Sequence, residues 1–174
     1  MRPQSPSDIE FFYPDGPIDL KDGLSKHIDQ ENEDEYGATA QDESKTDQRA
    51  WLHLQGEDSE YRELASSIAY LTSYTVEHGP FDGAIGFSQG ATMAMMSTAS
   101  CEGSVERRQA LAAQGAPILG SPPQQPLSFV VAISTHRTRW KYCSGFYSPK
   151  ISSPALHIVG DLDILVSQEW SLEV

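Results

Sequence analysis

One junction constrains the fold of this chain more than any other feature. Ala84-Ile85-Gly86-Phe87 is a short run without charge, and Ser88 follows it directly. Gln89 to Ala99 comes next, with Gly90, Ala91, Met93, Ala94, Met95 and Met96, small or unbranched residues that suit a buried helix. A run of this length without a polar residue suits a central strand of a parallel sheet, buried on both faces. Strand, serine and helix are thus joined with no linker.

The rest of the chain continues that alternation. Tyr61, Leu64, Ile68, Leu71 and Thr75 recur at three and four residues, with Ala65 and Ala69 beside them. The spacing predicts a helix over 61–78 whose apolar stripe covers a sheet or another helix. Gly79-Pro80 ends it, glycine taking the left-handed cap and proline refusing to continue the helix. Phe129 to Ser134 and Ala155 to Val159 are further β-rich runs, and the proline-rich stretch Ala116 to Pro126 is a connection. The expected fold is α/β, with 84–87, 128–134 and 155–159 as neighbouring parallel strands and helices 61–78 and 89–99 packed on them. Asp8 to Tyr13, closed by Pro14-Asp15-Gly16-Pro17, reads as a strand and a turn. Trp51, Leu52 and Leu54 read as an anchor packed back on the domain.

Charge separates the chain into two regions. The whole carries 12 basic and 25 acidic residues in 174 positions, a formal charge of −13. Residues 1–60 hold 16 acids and 5 bases, and residues 61–174 hold 9 and 7. The densest part, Asp29 to Asp47, has two alanines and a tyrosine as its only apolar residues, so it reads as a disordered acidic loop. One domain spanning 1–174 is expected from the length. The acidity argues against nucleic acid or an anionic membrane as partner. Met1 to Phe12 lacks the apolar stretch of a signal peptide, and a cytoplasmic protein is expected. Cys101 and Cys143 are too few for a zinc site or a disulfide scaffold, and no cofactor or metal is expected.

The junction also holds the candidate chemistry. Gly86-Phe87-Ser88-Gln89-Gly90 is a G-x-S-x-G sequence with a strand before it and a helix after it. A serine at such a turn sits in strained backbone, and its neighbours two residues away must lack bulk. Its hydroxyl stands at the helix N-terminus, where the Gln89 amide can meet charge developing on a carbonyl oxygen. The alternative is a tight strand-to-helix junction in which Ser88 only caps the helix.

A serine of this kind needs an orienting acid and then a histidine, in that chain order. Asp161 and Asp163 lie just beyond the run Ala155 to Val159, and Asp163 is the better placed; either could instead close an Asx-type turn. His27, His53 and His78 precede Ser88, and His157 lies inside a strand as a packing residue. His136 follows a strand but precedes the acid, beside Arg137, Arg139 and Lys141. After Asp163 come eleven residues and no histidine.

The stretch Gly79 to Ala91 (GPFDGAIGFSQGA) closely resembles the fungal serine hydrolases of the FSH type, relatives of the ovarian-cancer-associated serine hydrolase and of polyketide-releasing thioesterases. The resemblance extends to Phe11 to Pro17, to Arg49-Ala50-Trp51 and Tyr61, to Phe129 to Ser134 and to Pro154 to Asp163. It implies a compact α/β-hydrolase-like three-layer sandwich with Ser88 as nucleophile, Asp163 as acid and the Gln89 amide in the oxyanion hole. It also implies an ester or acyl thioester substrate, an acyl-carrier protein as the bearer of such a thioester, and a place in fungal secondary metabolism. Family members begin with a strand and a His-Gly loop and carry their histidine beyond the acid. Neither piece has a match here, so the chain is expected to be incomplete at both ends and a weak hydrolase. The competing reading is a noncatalytic binding or scaffold protein of the same fold.

Overall fold

The computed structural model describes residues 9–19, 49–52, 57–114, 120–135, 138 and 143–161. Asp163, His27, His53, His136 and the acidic segment 29–47 lie outside the described residues, so the expectations placed on them are not addressed by the coordinates.

Two short strands open the fold. Strand β1 (Ile18–Asp19) pairs antiparallel with β2 (Arg49–Ala50). Helix α1 (Glu57–His78) follows, then β3 (Gly83–Phe87), α2 (Gln89–Glu102), α3 (Val105–Ala113), β4 (Phe129–Ile133), α4 (Ser144–Tyr147) and β5 (Ala155–Ile158). The three longer strands form one parallel sheet in the order β3-β4-β5. Ala84 faces Val130, Gly86 faces Ala132, and Ala132 in turn faces His157. The α/β architecture and the strand pairing are those the sequence predicts, but β3, expected as a central strand buried on both faces, is an edge strand among the described residues, with Ile85 and Phe87 exposed.

Direction of winding decides where the helices lie. Each step, β3 to β4 and β4 to β5, moves the same way across the sheet, and parallel crossovers are right-handed. Successive crossovers of one hand in one direction place their helices on one face. Accordingly Ala91 and Met95 of α2 pack on Val130 and Ala132, with Ala84 and Ile151 beside them. The opposite side of α2 joins a second cluster, where Met93, Met96 and Ala99 meet Leu64 and Ile68 of α1, Leu111 of α3, and Phe146 and Tyr147 of α4. The apolar stripe of α1 therefore covers a helix, and α2 is enclosed from both sides. That enclosure explains its alanines and methionines.

One polar group ties the helical layer together. Arg107 on α3 is fully buried and pairs with Glu102 at 3.1 Å. Its guanidinium also donates to the carbonyls of Gly145 and Phe146, while Glu102 accepts from the amides of Ser152 and Ser153. Burial lowers the pKa of Arg107 and the neighbouring carboxylate opposes that shift. The pair locks α2, α3, α4 and the lead into β5 to one another.

Three local readings change. Residues 9–13 of the expected strand are not one: among the described residues they have no sheet partner, and Ile9, Phe11 and Tyr13 are exposed. Phe12 packs edge-on to Phe81 with ring centres 5.3 Å apart. Helix α3 was not foreseen, although Ser104 caps it by accepting from the Arg107 amide and Glu106 sits in its first turn. Gly79 is not a left-handed cap, because Gly103 is the one glycine with positive φ among the described residues. Gly79 is needed for space instead, since a Cβ there would lie 2.5 Å from the Thr75 carbonyl oxygen.

Candidate active site

Ser88 forms the corner between β3 and α2 with φ 51° and ψ −122°. A non-glycine residue at positive φ stores strain of about 1–3 kcal/mol, so the surroundings must hold it there. They do so from both sides. The Ser88 amide donates to the carbonyl of Ile133, carrying the β3–β4 ladder one residue past the strand, and its carbonyl accepts from Ala91 and Thr92. Its side chain does not cap the helix, which removes the capping role as its purpose. The residue is half-buried. The amides of Gln89 and Gly90 open α2, where an N–H has no carbonyl a turn behind it, and they are the donors nearest the serine.

The two glycines of the pentapeptide differ in what they do. A Cβ on Gly86 would lie 2.4 Å from the Gly90 carbonyl oxygen and 2.5 Å from Ala91 Cα. Gly86 therefore lets the helix start directly against the strand. A Cβ on Gly90 would meet only Trp51 Nε1, at 3.8 Å, an ordinary contact. The expectation that both neighbours of the serine must lack bulk holds at Gly86 and fails for a single methyl at Gly90.

Gln89 carries a second task that the sequence did not reveal. Its side-chain oxygen accepts from the amides of Trp51 and Leu52 at 2.7 and 3.1 Å, and its side-chain nitrogen donates to the Leu52 carbonyl at 2.7 Å. Ser67 of α1 donates to the Trp51 carbonyl. The segment 51–52 is thereby fixed beside the corner, with Leu52 buried. The expected anchor exists at Trp51 and Leu52; Leu54 lies outside the described residues.

A second serine stands next to the first. Ser134 follows β4 as Ser88 follows β3, and it too has positive φ, 48°. Its amide donates to the Ile158 carbonyl, and the next residue, buried Thr135, lies with its hydroxyl 3.4 Å from that of Thr92 in α2. Because Phe87 pairs with Ile133, the two strained serines occupy neighbouring register positions at the carboxyl edge of the sheet. That edge is where α/β sheets assemble their ligand sites. Nothing in the residue types around Ser134 signals the conformation.

Neither described histidine can serve Ser88. His78 closes α1 against Tyr74, with ring centres 4.3 Å apart, near the start of β3 and so at the other end of the strand from Ser88. His157 lies on β5, two strands and so on the order of 10 Å from β3. Its Nδ1 is buried and has no hydrogen-bond partner among the described residues. Asp161 is described, exposed and in the turn after β5. Cys101 and Cys143 are buried, and burial with the nearby Glu102 pushes the Cys101 thiol up to about 11. That thiol stays protonated at neutral pH, so it is no competing nucleophile. Among the described residues no cluster of histidine, cysteine and acid could hold a metal ion, and no helix is long and apolar enough to cross a membrane.

The model of the serine hydrolase family FSH1 matches residues 1–174, the full length given. The chain belongs to that family. An uncharacterized hydrolase of Schizosaccharomyces pombe is 26% identical over 178 residues, taking in 98% of this chain and 37% of that protein. A second S. pombe protein, named dihydrofolate reductase, is 31% identical over 162 residues, covering 90% of this chain and 31% of the other. Family of serine hydrolases 2 of Saccharomyces cerevisiae is 32% identical over 117 residues, 67% of this chain and 47% of that protein. The chain thus spans less than half the length of the curated relatives it matches. No solved structure matches it significantly. Family membership brings the α/β-hydrolase-like fold. The expected three-layer form is seen here as its sheet and one helical layer.

Proposed function

We propose that this protein hydrolyses an ester or acyl thioester through an acyl-serine intermediate on Ser88. The observation that carries the reading is the Ser88 corner itself: positive φ, no capping bond from its hydroxyl, and a helix start made possible by Gly86. In this reading Ser88 attacks the carbonyl carbon, and a histidine takes its proton and returns it to the leaving alcohol or thiol. Asp163 orients that histidine and the Gln89 amide binds the oxyanion. Water then releases the acid by the same route. A thioester presented by an acyl-carrier protein, in cytoplasmic fungal secondary metabolism, is the substrate and setting the family resemblance favours. The base comes from outside the described residues, either from His136 or from a longer form of the polypeptide.

The test is hydrolysis of a short-chain aryl ester and of a small acyl thioester by the purified chain and its variants. Turnover is expected to vanish in Ser88→Ala. His136→Ala separates the two sources of the base: loss of turnover assigns the role to His136. If the parent chain is inert, a longer polypeptide carrying the family's further segments is expected to gain orders of magnitude, since losing the base costs roughly a millionfold in turnover. Inertness of that longer form too, or activity that survives Ser88→Ala, contradicts the proposal. In the first case the noncatalytic binding reading takes its place.

A further inference from the structure

The first turn of α2 lacks the means by which a helix start is ordinarily fixed. Ser88 gives it no capping bond, and no acidic residue lies in that turn. Gly90 has no side chain with which to anchor it. What holds this end of the helix lies outside the helix. Gln89 Oε1 accepts from the Trp51 and Leu52 amides, and Gln89 Nε2 donates to the Leu52 carbonyl. Turning the side-chain amide over would set its NH₂ against two N–H groups, so only one orientation satisfies all three bonds. The segment it grips is itself fastened. Ser67, fully buried on α1, donates to the Trp51 carbonyl, the Trp51 ring lies 6.1 Å from that of Tyr70, and Leu52 belongs to the core. A continuous set of contacts therefore runs from α1 through residues 51–52 to the first residue of α2.

We infer that the Gln89 side chain is a positioning element for the oxyanion donor, tethering the first turn of α2 so that the Gln89 amide keeps its aim at a carbonyl oxygen bound at Ser88. The inference deepens the reading of Ser88 as a nucleophile and rests on it. Charge developing in a transition state is stabilised by donors held in place beforehand, and losing one such donor costs on the order of 100- to 1,000-fold in rate. Here the donor N–H belongs to the peptide plane between Ser88 and Gln89. Ser88 sets that plane from a strained conformation, φ 51° and ψ −122°. Relaxing the strain would rotate the plane and turn the donor away. The tether opposes that rotation with little slack, because donor and tether are parts of one residue.

Gln89→Met keeps the length of the side chain and removes all three bonds. Reaction of Ser88 with a fluorophosphonate is expected to slow tenfold or more in this variant. The loss should fall in the bond-forming rate constant and leave reversible binding of the reagent unchanged. Hydrogen exchange followed residue by residue by NMR is expected to quicken tenfold or more at Ala91 and Thr92, whose amides bond the Ser88 carbonyl. Tyr147→Phe, which removes a buried hydrogen bond to Thr138 from α4, is expected to change neither quantity. Should the methionine variant fail to fold, Gln89→Glu supplies a second measurement, since its carboxylate still accepts from both amides. At neutral pH it cannot donate to the Leu52 carbonyl and is expected to react slowly. Compared with the parent at the same pH, it is expected to recover as acid protonates the carboxyl and restores the donor. A methionine variant as reactive as the parent, or faster exchange confined to Trp51 and Leu52, overturns the inference. A parent chain that the reagent does not label is instead the failure of the nucleophile reading, and exchange at Ala91 and Thr92 then decides the tether by itself.

Discussion

Apart from His157 on β5, the two faces of the three-stranded sheet are both apolar, yet they are built from different residues. The helix-covered face shows Ala84, Gly86, Val130 and Ala132 to α2, small side chains that let Ala91 and Met95 approach closely. The open face shows Ile85, Phe87, Phe129, Leu156 and Ile158. From Ala84 to Phe87 the two sets alternate residue by residue, small inward and large outward. Hydropathy cannot tell these faces apart; side-chain size can. Small residues mark where a helix backbone must come close, and at Gly86 that closeness creates the Ser88 corner.

The difference between the faces can be broken at several points, and the covered side gives the largest effects. Arg107→Met leaves Glu102 buried without its cation, and breaking such a pair by removing one partner costs about 3–5 kcal/mol. Urea unfolding is expected to show that loss in the midpoint with little change in slope. Gly86→Ala drives a methyl into backbone atoms of Gly90 and Ala91, for an expected cost of about 1–3 kcal/mol. The same change at Gly90 meets only an ordinary contact with Trp51 Nε1 and is expected to be near neutral, so the pair measures whether contact or conformation selects each glycine. Smallest of all is Leu156→Thr on the open face. It should stay within about 0.5 kcal/mol of the parent in urea unfolding. A cost on the covered-side scale would mean that this face is packed.

Legibility in the sequence followed how local each determinant is. The β3–Ser88–α2 unit could be read because strand, corner and helix are adjacent and each has its own composition. The strands β4 and β5 were legible as β-rich runs followed by polar residues. Asp8 to Tyr13 has the same apolar content and was misread, because a strand needs a neighbour and composition does not supply one. Helix α3 is short, with charged or polar residues at 106–109 and Leu111 as its one buried apolar residue, so no apolar stripe marks it despite the start signal at Ser104 and Glu106. The Gln89 clamp on Trp51 and Leu52 joins residues 37 and 38 apart, a contact no local pattern encodes. Ser134 was invisible because its strain comes from the place where β4 ends and not from its neighbours. Of the site residues singled out, Ser88 and Gln89 meet in the structure, and Asp163 lies outside the described residues.

The claim that Ser88 is a nucleophile at a preformed corner is tested most directly by its reaction with a fluorophosphonate. The purified chain is incubated with the reagent, digested, and the modified residue located by tandem mass spectrometry. The expected result is a single adduct on Ser88, absent from Ser88→Ala, sharply reduced in Gly86→Ala and lost when the chain is unfolded in urea before labelling. An adduct on Ser134 or another serine, or a Ser88 adduct that forms equally fast in urea, would contradict the account.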